Sequence, residues 1–322
     1  MASTILVPLD GSLLSERVLP VAAELARSSG GTLHLVRIHV SPERAPISLE
    51  GMPVVDRDDD DRCWQAERAY MVRIRERLGP RSELATRIAV LNGPVAEALA
   101  GYAALHRVDQ IVMATHARSG LARAWMGSVA DAVLRRSRVP VLLVRATEGA
   151  ATMSASEGPP RVLIALDGSP IAEKVLEPAV RLGRPLGAAY TLLRVVNPLA
   201  LTGDLPAVLA PRMGRAAAAR QEAEAKTYLA EIAWWMQDRG FEVETRVVTS
   251  ERPADAILSE AEREGRAIIA MATHGRSGLS RMLMGSVAGQ VLHRTTLPVL
   301  LYRPRVKRRP LGLQPAAAAA GP

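Results

Sequence analysis

The chain repeats itself, and no other feature restricts its fold as much. ILVPLDGS (Ile5 to Ser12) returns as VLIALDGS (Val162 to Ser169). MATHARSGLARAWMGSVADAVLRRSRVPVLLVR from Met113 returns as MATHGRSGLSRMLMGSVAGQVLHRTTLPVLLYR from Met271, with 22 of 33 positions identical at a period near 157 residues. A repeat this long must be recognised before any local assignment, because each copy has to fold as a unit. The 322 residues therefore divide into one domain at 1–145 and a second at 161–303. Between them, residues 146–160 (ATEGAATMSASEGPP) have the small, polar composition of a linker. Residues 304–322, ending in PAAAAAGP, lack apolar periodicity and are expected to be a disordered basic, alanine-rich tail.

Within each copy short apolar runs alternate with helical patterns. Thr4 to Leu9 and Arg161 to Leu166 are nearly continuous apolar runs, as expected of strands covered on both faces. Further strands are predicted at Thr32 to Val40, Leu84 to Val90, Gln110 to Ala114 and Val139 to Val144. Copy two repeats them at Tyr190 to Val196, Glu242 to Val248, Ala267 to Ala272 and Pro298 to Tyr302. A helix is predicted after each Asp-Gly-Ser, which Ser169 can cap in copy two with Pro170 in its first turn, and long helices are predicted at Asp61 to Leu78 and at Arg215 to Arg239. Five strands separated by helices imply an α/β fold: two open, doubly wound domains, each with a five-stranded parallel sheet. The apolar fifth strands would lie at a sheet edge that needs covering.

Charge and cysteine content narrow the partners. The formal charge of +8 suggests nucleic acid until it is located. Residues 1–145 carry +3, 146–160 carry −2 and 161–302 carry +2, whereas residues 303–322 alone carry +5. With ten aromatic residues in the chain there are few platforms for stacking bases, so nucleic acid is not the expected partner. Cys63, the single cysteine, can form no internal disulfide. No apolar run is long enough for a membrane span and no leader pattern is present, so a cytoplasmic protein is expected.

Doubly wound sheets bind ligands beyond the carboxyl ends of their strands, where the strand order reverses. Two elements of each copy would meet there. One is the aspartate closing the first strand, Asp10 or Asp167, on an Asp-Gly turn. The other is the loop after the fourth strand, which carries Ala-Thr-His-(Ala/Gly)-Arg-Ser-Gly and leads to Gly127-Ser128-Val129 or Gly285-Ser286-Val287 at a helix start. Glycine allows close backbone approach, serine can donate, and uncapped amides with the helix dipole favour an anion. The pattern reads as a phosphate cradle.

On these motifs the chain resembles the universal stress protein family, over both copies. ATP-binding members carry Gly-x-x-Gly, nine residues, then Gly-Ser/Thr. Copy two has Ala272, Thr273, His274, Gly275, nine residues, Gly285, Ser286; copy one has Ala114 and Ala117 where both leading glycines would stand, then Gly127 and Ser128. The resemblance implies a Rossmann-like, adenine-nucleotide-binding fold whose ligand is ATP, with or without magnesium. It implies that Asp167 meets ribose or adenine, that backbone near Val196 meets adenine, and that Gly275, Gly285, Ser286 and Val287 hold the phosphates, with Ala272, His274 and Arg276 also counted among the nucleotide-binding residues. Asp10, Val40, Gly127, Ser128 and Val129 would do the same in copy one, where each added Cβ hinders close approach. The expectation is therefore asymmetric, with nucleotide held by residues 161–303. Family dimers commonly form through the fifth strand, which implies that the two copies pair as an intramolecular pseudo-dimer, with homo-oligomers and a protein partner left open.

Asp10 and Asp167 also suit plain turns. His116 and His274 have no nucleophile or carboxylate placed by spacing, so no catalytic set is expected and the chain is read as a binding module. Slow ATP hydrolysis and a ligand-free scaffold remain the alternatives. Arg118 and Arg276 either steer phosphate or solvate the loop. His34 and His39, five apart on a strand, should point to opposite faces and form no metal site. At least one of Trp234 and Trp235 should face the core, and Asp58 to Asp61 should be a solvated loop.

Overall fold

The computed structural model describes residues 2–40, 57–80, 83–115, 127–145, 158–198, 210–273 and 285–304, the side chains of 57–59 and 210–216 excepted. The first half runs β1 (Thr4–Pro8), a one-turn α1 (Leu13–Glu16), α2 (Leu19–Ser28), β2 (Thr32–His39), α3 (Arg57–Arg77), β3 (Ala85–Asn92), α4 (Val95–Leu105), β4 (Gln110–Thr115), α5 (Ser128–Arg136) and β5 (Val141–Arg145). The second half follows the same plan: β6 (Arg161–Leu166), a 3-10 turn at Ala172–Val175, α6 (Leu176–Gly183), a 3-10 turn at Arg184–Leu186, β7 (Ala189–Val196), α7 (Ala210–Gln237), β8 (Val243–Thr249), α8 (Pro253–Arg263), β9 (Ala267–Ala272), α9 (Ser286–Arg294) and β10 (Val299–Tyr302).

Each half is a parallel sheet with the reversal of order at β1 or β6, and the two sheets are fused. The order across all ten strands is β3-β2-β1-β4-β5-β10-β9-β6-β7-β8. The join is antiparallel, with Leu300 of β10 opposite Leu142 of β5 and Val299 opposite Leu143. Leu142 and Leu300 are fully buried. The fifth strands therefore lie at the centre of one continuous sheet and complete each other's hydrogen bonding, which removes the exposed edge each would otherwise present.

Two helical layers cover this sheet. Alternate residues of β1 show why its run is continuously apolar: Ile5 and Val7 pack with α2 and α3, while Leu6 packs on the opposite side with α4 and α5. In the second half Val162 and Ile164 face α6 and α7, and Leu163 faces α8 and α9. Burying one such leucine or isoleucine contributes about 1.5–3 kcal/mol.

Three local expectations are corrected. Asp58 to Asp61 do not form a loop but open α3, which begins at Arg57. The helix predicted after each Asp-Gly-Ser is split: Ser12 caps only α1, and the Ser169 hydroxyl accepts the amide of Ala172, the first residue of the 3-10 turn that precedes α6. Neither tryptophan of α7 enters the core. Ala225, Leu229, Ala233 and Met236 occupy the buried face, so Trp234 and Trp235 fall on the solvent side at 69% and 44% exposure. Trp235 instead carries the Arg239 guanidinium 4.3 Å above its ring.

Candidate functional site

In the second half, β6 and β9 end side by side at the reversal of strand order. β6 runs into Asp167, and Gly168 turns the chain with a φ of +76°, a conformation that L side chains rarely adopt. The Ser169 amide donates to Asp167 Oδ1 at 2.9 Å, and the Ser169 hydroxyl accepts from the Ala172 amide at 3.1 Å. Asp167 is thereby aimed by its own turn. Opposite it, Thr273 follows β9 and accepts the Gly285 amide through its carbonyl at 2.6 Å, which anchors the start of α9 beside the strand end.

Gly285 has no side chain with which to cap α9. A helix leaves its first amides without internal partners, so those of Ser286, Val287 and Ala288 are available to a ligand, and the helix dipole favours an anion there. Asp167, Thr273, Gly285, Ser286 and Val287 line a cavity of about 300 Å³. Its remaining wall is apolar: Ala165, Leu193, Val195, Pro253, Ile257 and Met271. A flat apolar wall ending in one carboxylate and a set of amides suits a ligand with a planar body and an anionic end. Among the described lining residues Asp167 is the one ionisable group. No cluster of metal-ligating side chains occurs among the described residues.

The first half builds the same turn with a different surround. Ser12 donates to Asp10 Oδ1 from its amide at 2.9 Å and its hydroxyl at 2.6 Å. Partial burial raises the Asp10 pKa, but hydrogen bonds with Ser12 and Ser15 and from the backbone outweigh it and hold the carboxyl below its ordinary value. Gly127 starts α5 as Gly285 starts α9, with no side-chain cap. The difference lies one turn on. Asp131 stands in the first turn of α5, paired with Arg135 at 2.7 Å, whereas its counterpart in α9 is Gly289. A carboxylate at that end of the helix opposes an incoming anion.

Behind both turns lies an arginine that the sequence reading did not single out. The Arg37 guanidinium approaches Gly11, and Arg194 packs so close to Gly168 that a Cβ there would collide with it. Each guanidinium sits over a tyrosine ring, Tyr70 at 5.9 Å and Tyr228 at 5.7 Å. The signal was available, since an arginine interrupts the same apolar strand in both copies, LVRIH and LLRVV. In the first half the network extends further: Arg37 pairs with Glu67 at 2.9 Å, and His39 lies between Glu67 at 2.9 Å and Asp60 at 3.0 Å. Burial lowers the His39 pKa, but the two carboxylates more than reverse this and raise it.

Of the residues expected at the site, Asp167, Ala272, Gly285, Ser286 and Val287 line one cavity. Val196 is buried within β7 and holds the register of His39, while Val40 lies beyond β2 at 61% exposure and corresponds to Asn197. Val40 and Val196 are therefore not equivalent, and the cavity wall from β7 is Leu193 and Val195, on the α8 side. His274, Gly275 and Arg276, like His116 and Arg118, lie outside the described residues. His34 and His39 do face opposite layers, toward Tyr102 of α4 and Glu67 of α3.

Comparison with known proteins agrees with this duplicated architecture. The profile of the Universal stress protein family matches residues 1–145 and again residues 159–303. A universal stress protein of Mycolicibacterium smegmatis is 28% identical over 311 residues, spanning 94% of this chain and 97% of its own length. One of Mycobacterium tuberculosis is 31% identical over 199 residues, and that match spans 62% of this chain and 63% of the relative. The crystal structure of a universal stress protein from Archaeoglobus fulgidus superposes with a TM-score of 0.65 at 20% identity, covering 94% of this chain and 99% of that one. Two matched halves, one repeated fold and a full-length relative establish that the chain belongs to the universal stress protein family, as a tandem member.

Proposed function

We propose that the protein is an adenine-nucleotide-binding module of the stress response, acting in the cytoplasm, and that its second half holds the nucleotide. The observation that carries this reading is the 300 Å³ cavity between Asp167 and the uncapped start of α9. Adenine would lie against Leu193, Val195 and Ile257, ribose hydroxyls would meet the Asp167 carboxylate, and phosphates would take the amides of Ser286 and Val287. ATP, with or without magnesium, fits this distribution of apolar wall and donors. Asp131 disfavours the same ligand at α5, so binding is asymmetric between the halves. The output read here is a change of binding state, supported by a described lining in which Asp167 is the one ionisable group and is assigned to the ribose hydroxyls.

Calorimetry of the full chain with ATP and ADP tests this. Binding is expected to weaken about tenfold or more in Gly285→Val, which fills the cradle, and in Asp167→Asn. Absence of nucleotide binding up to about 1 mM, or binding unchanged in both variants, would refute the proposal. Steady phosphate release lost in Gly285→Val would replace the binding module with an ATPase.

A further inference from the structure

The amino-terminal ends of β2 and β3 lie at the opposite end of the first half's sheet from its crevice. There an open cavity of about 590 Å³ is lined by Arg75 of α3, Thr86 and Arg87 of β3, Thr32 of β2, and Tyr102 and His106 at the end of α4. β3 is an edge strand. Register places Arg87 beside His34, on the face covered by α4, and Thr86 beside Leu33, on the face covered by α3. The cavity thus wraps around the sheet edge and receives one guanidinium from each side. No carboxylate lines it, and neither Arg75 nor Arg87 has an ion-pair partner among the described residues.

Unpaired surface arginines alone mean little, but the second half shows the same place filled by the chain itself. Arg161 Nε pairs with Glu264 at 2.9 Å, and Arg246 pairs with Glu260 at 2.8 Å and with Glu244 and Glu264 at 3.4 Å. The Thr191 hydroxyl donates to Glu264 at 3.1 Å. Strand register and helix starts equate Glu244 with Arg87, Glu260 with Tyr102, Glu264 with His106, Arg246 with Ala89 and Arg161 with Thr4. Glu242, which pairs with Arg161 at 3.7 Å, falls at Ala85, but the other three acidic positions of that lattice are basic or aromatic in the first half, and Arg161 and Arg246 are both gone. What remains is a cationic lining around open volume.

We propose that this edge cavity is a second ligand site, for a small multiply charged organic anion such as a phosphorylated or polycarboxylated metabolite. Its volume lies in the range of small-molecule pockets. Guanidinium forks match the paired oxygens of carboxylate and phosphate alike. The Tyr102 and His106 rings, centroids 4.1 Å apart and tilted by 38°, add an aromatic wall, and an edge strand turns alternate amides outward. The local field agrees in sign. Burial first, then the charges of Arg87 and His106, push buried His34 down to about 4, and its Nδ1 is hydrogen-bonded to the Tyr102 hydroxyl at 3.1 Å. A bound anion would offset that field.

The test uses the full chain at low ionic strength, with inorganic pyrophosphate and citrate as probes in calorimetry and in NMR titration of the histidine rings. At least one probe is expected to bind with a Kd below about 1 mM and to raise the pKa of His34 from its value near 4. Affinity should fall about tenfold or more in Arg87→Glu/His106→Glu, which installs the second half's residues, and be unchanged in Gly285→Val, which separates this site from the nucleotide crevice. Arg87→Gln alters an exposed side chain and decides the matter should the double variant fail to fold. Failure of both probes to bind, or binding indifferent to Arg87→Gln and to the double variant, would overturn the proposal. So would self-association through β3 that Arg87→Glu abolishes without any effect of either anion.

Discussion

His34 should make the first half acid-sensitive in a way that can be isolated by one substitution. The ring is 4% exposed, and burial together with the positive charges of Arg87 and His106 holds its pKa near 4 against an ordinary 6.5. As pH falls below 6.5 the unfolded chain takes up a proton that the folded chain refuses. Stability is therefore lost as pH falls and is fully present above 6.5. At 1.36 kcal/mol per pH unit the loss works out at about 0.8 kcal/mol at pH 6, about 2 kcal/mol at pH 5 and about 3 kcal/mol at pH 4. His39 contributes with opposite sign: its pKa is raised, so its stabilisation is complete below 6.5 and disappears only as pH rises through the raised value. The measurement is urea unfolding of the wild type and of His34→Gln, which retains a hydrogen-bonding group near Tyr102 but does not titrate there. The difference between the two proteins should shift by about 2 kcal/mol against the wild type between pH 7 and pH 5. A difference that stays constant within about 0.5 kcal/mol, or an NMR pKa for His34 above 6, would refute the reasoning.

Three further outcomes follow from the geometry. Leu300→Asp places a carboxylate opposite Leu142 at the fully buried seam between the halves and should cost on the order of 4 kcal/mol or more, read as loss of cooperative thermal unfolding. On α7, Leu229→Ala should cost about 2–5 kcal/mol and Trp234→Ala under about 0.5 kcal/mol, and equal losses of Tm would contradict the orientation of that helix. Asp131→Gly makes the start of α5 resemble that of α9. On a Gly285→Val background it should strengthen ATP binding by about 0.3–1 kcal/mol, up to about fivefold, in calorimetry.

Much of the fold was legible because period and repetition reinforced each other. Five apolar runs recur at nearly constant offset, and each became a strand within one or two residues of its expected bounds. What escaped was set by neighbours remote in sequence. The tryptophans of α7 could have faced either way on composition alone. Smaller residues, Ala225 and Ala233, fill the narrow space against the sheet beside Leu229 and Met236, and this turned the larger rings outward. The acidic run at 58–61 read as solvated loop, but Asp60 has a buried partner in His39, 21 residues away, and the helix starts early enough to present it. At the crevice, motif residues were legible because glycine stands out there: Gly168 turns the chain at positive φ, and Gly285 leaves the start of α9 without a side-chain cap. The apolar wall was not, since Leu193 and Val195 look like any other strand residues until the register shows which face they share.

Comparing the halves position by position says more than either half does alone, because the shared backbone holds geometry nearly constant while the side chains vary. At the crevice the second half keeps an unopposed helix start with Gly289, and the first half sets Asp131 against an anion there. At the sheet edge the contrast reverses: the second half neutralises its arginines with Glu244, Glu260 and Glu264, and the first half leaves Arg75 and Arg87 facing open volume. Random decay of one copy would weaken both places in the same half. On the two proposals, each half would accept an anion at the place where the other is blocked or self-neutralised. The antiparallel β5–β10 seam holds the two halves in one continuous sheet. A tandem chain arranged in this way can line the same place of the fold differently in its two halves, which a symmetric dimer of identical subunits cannot do with one sequence.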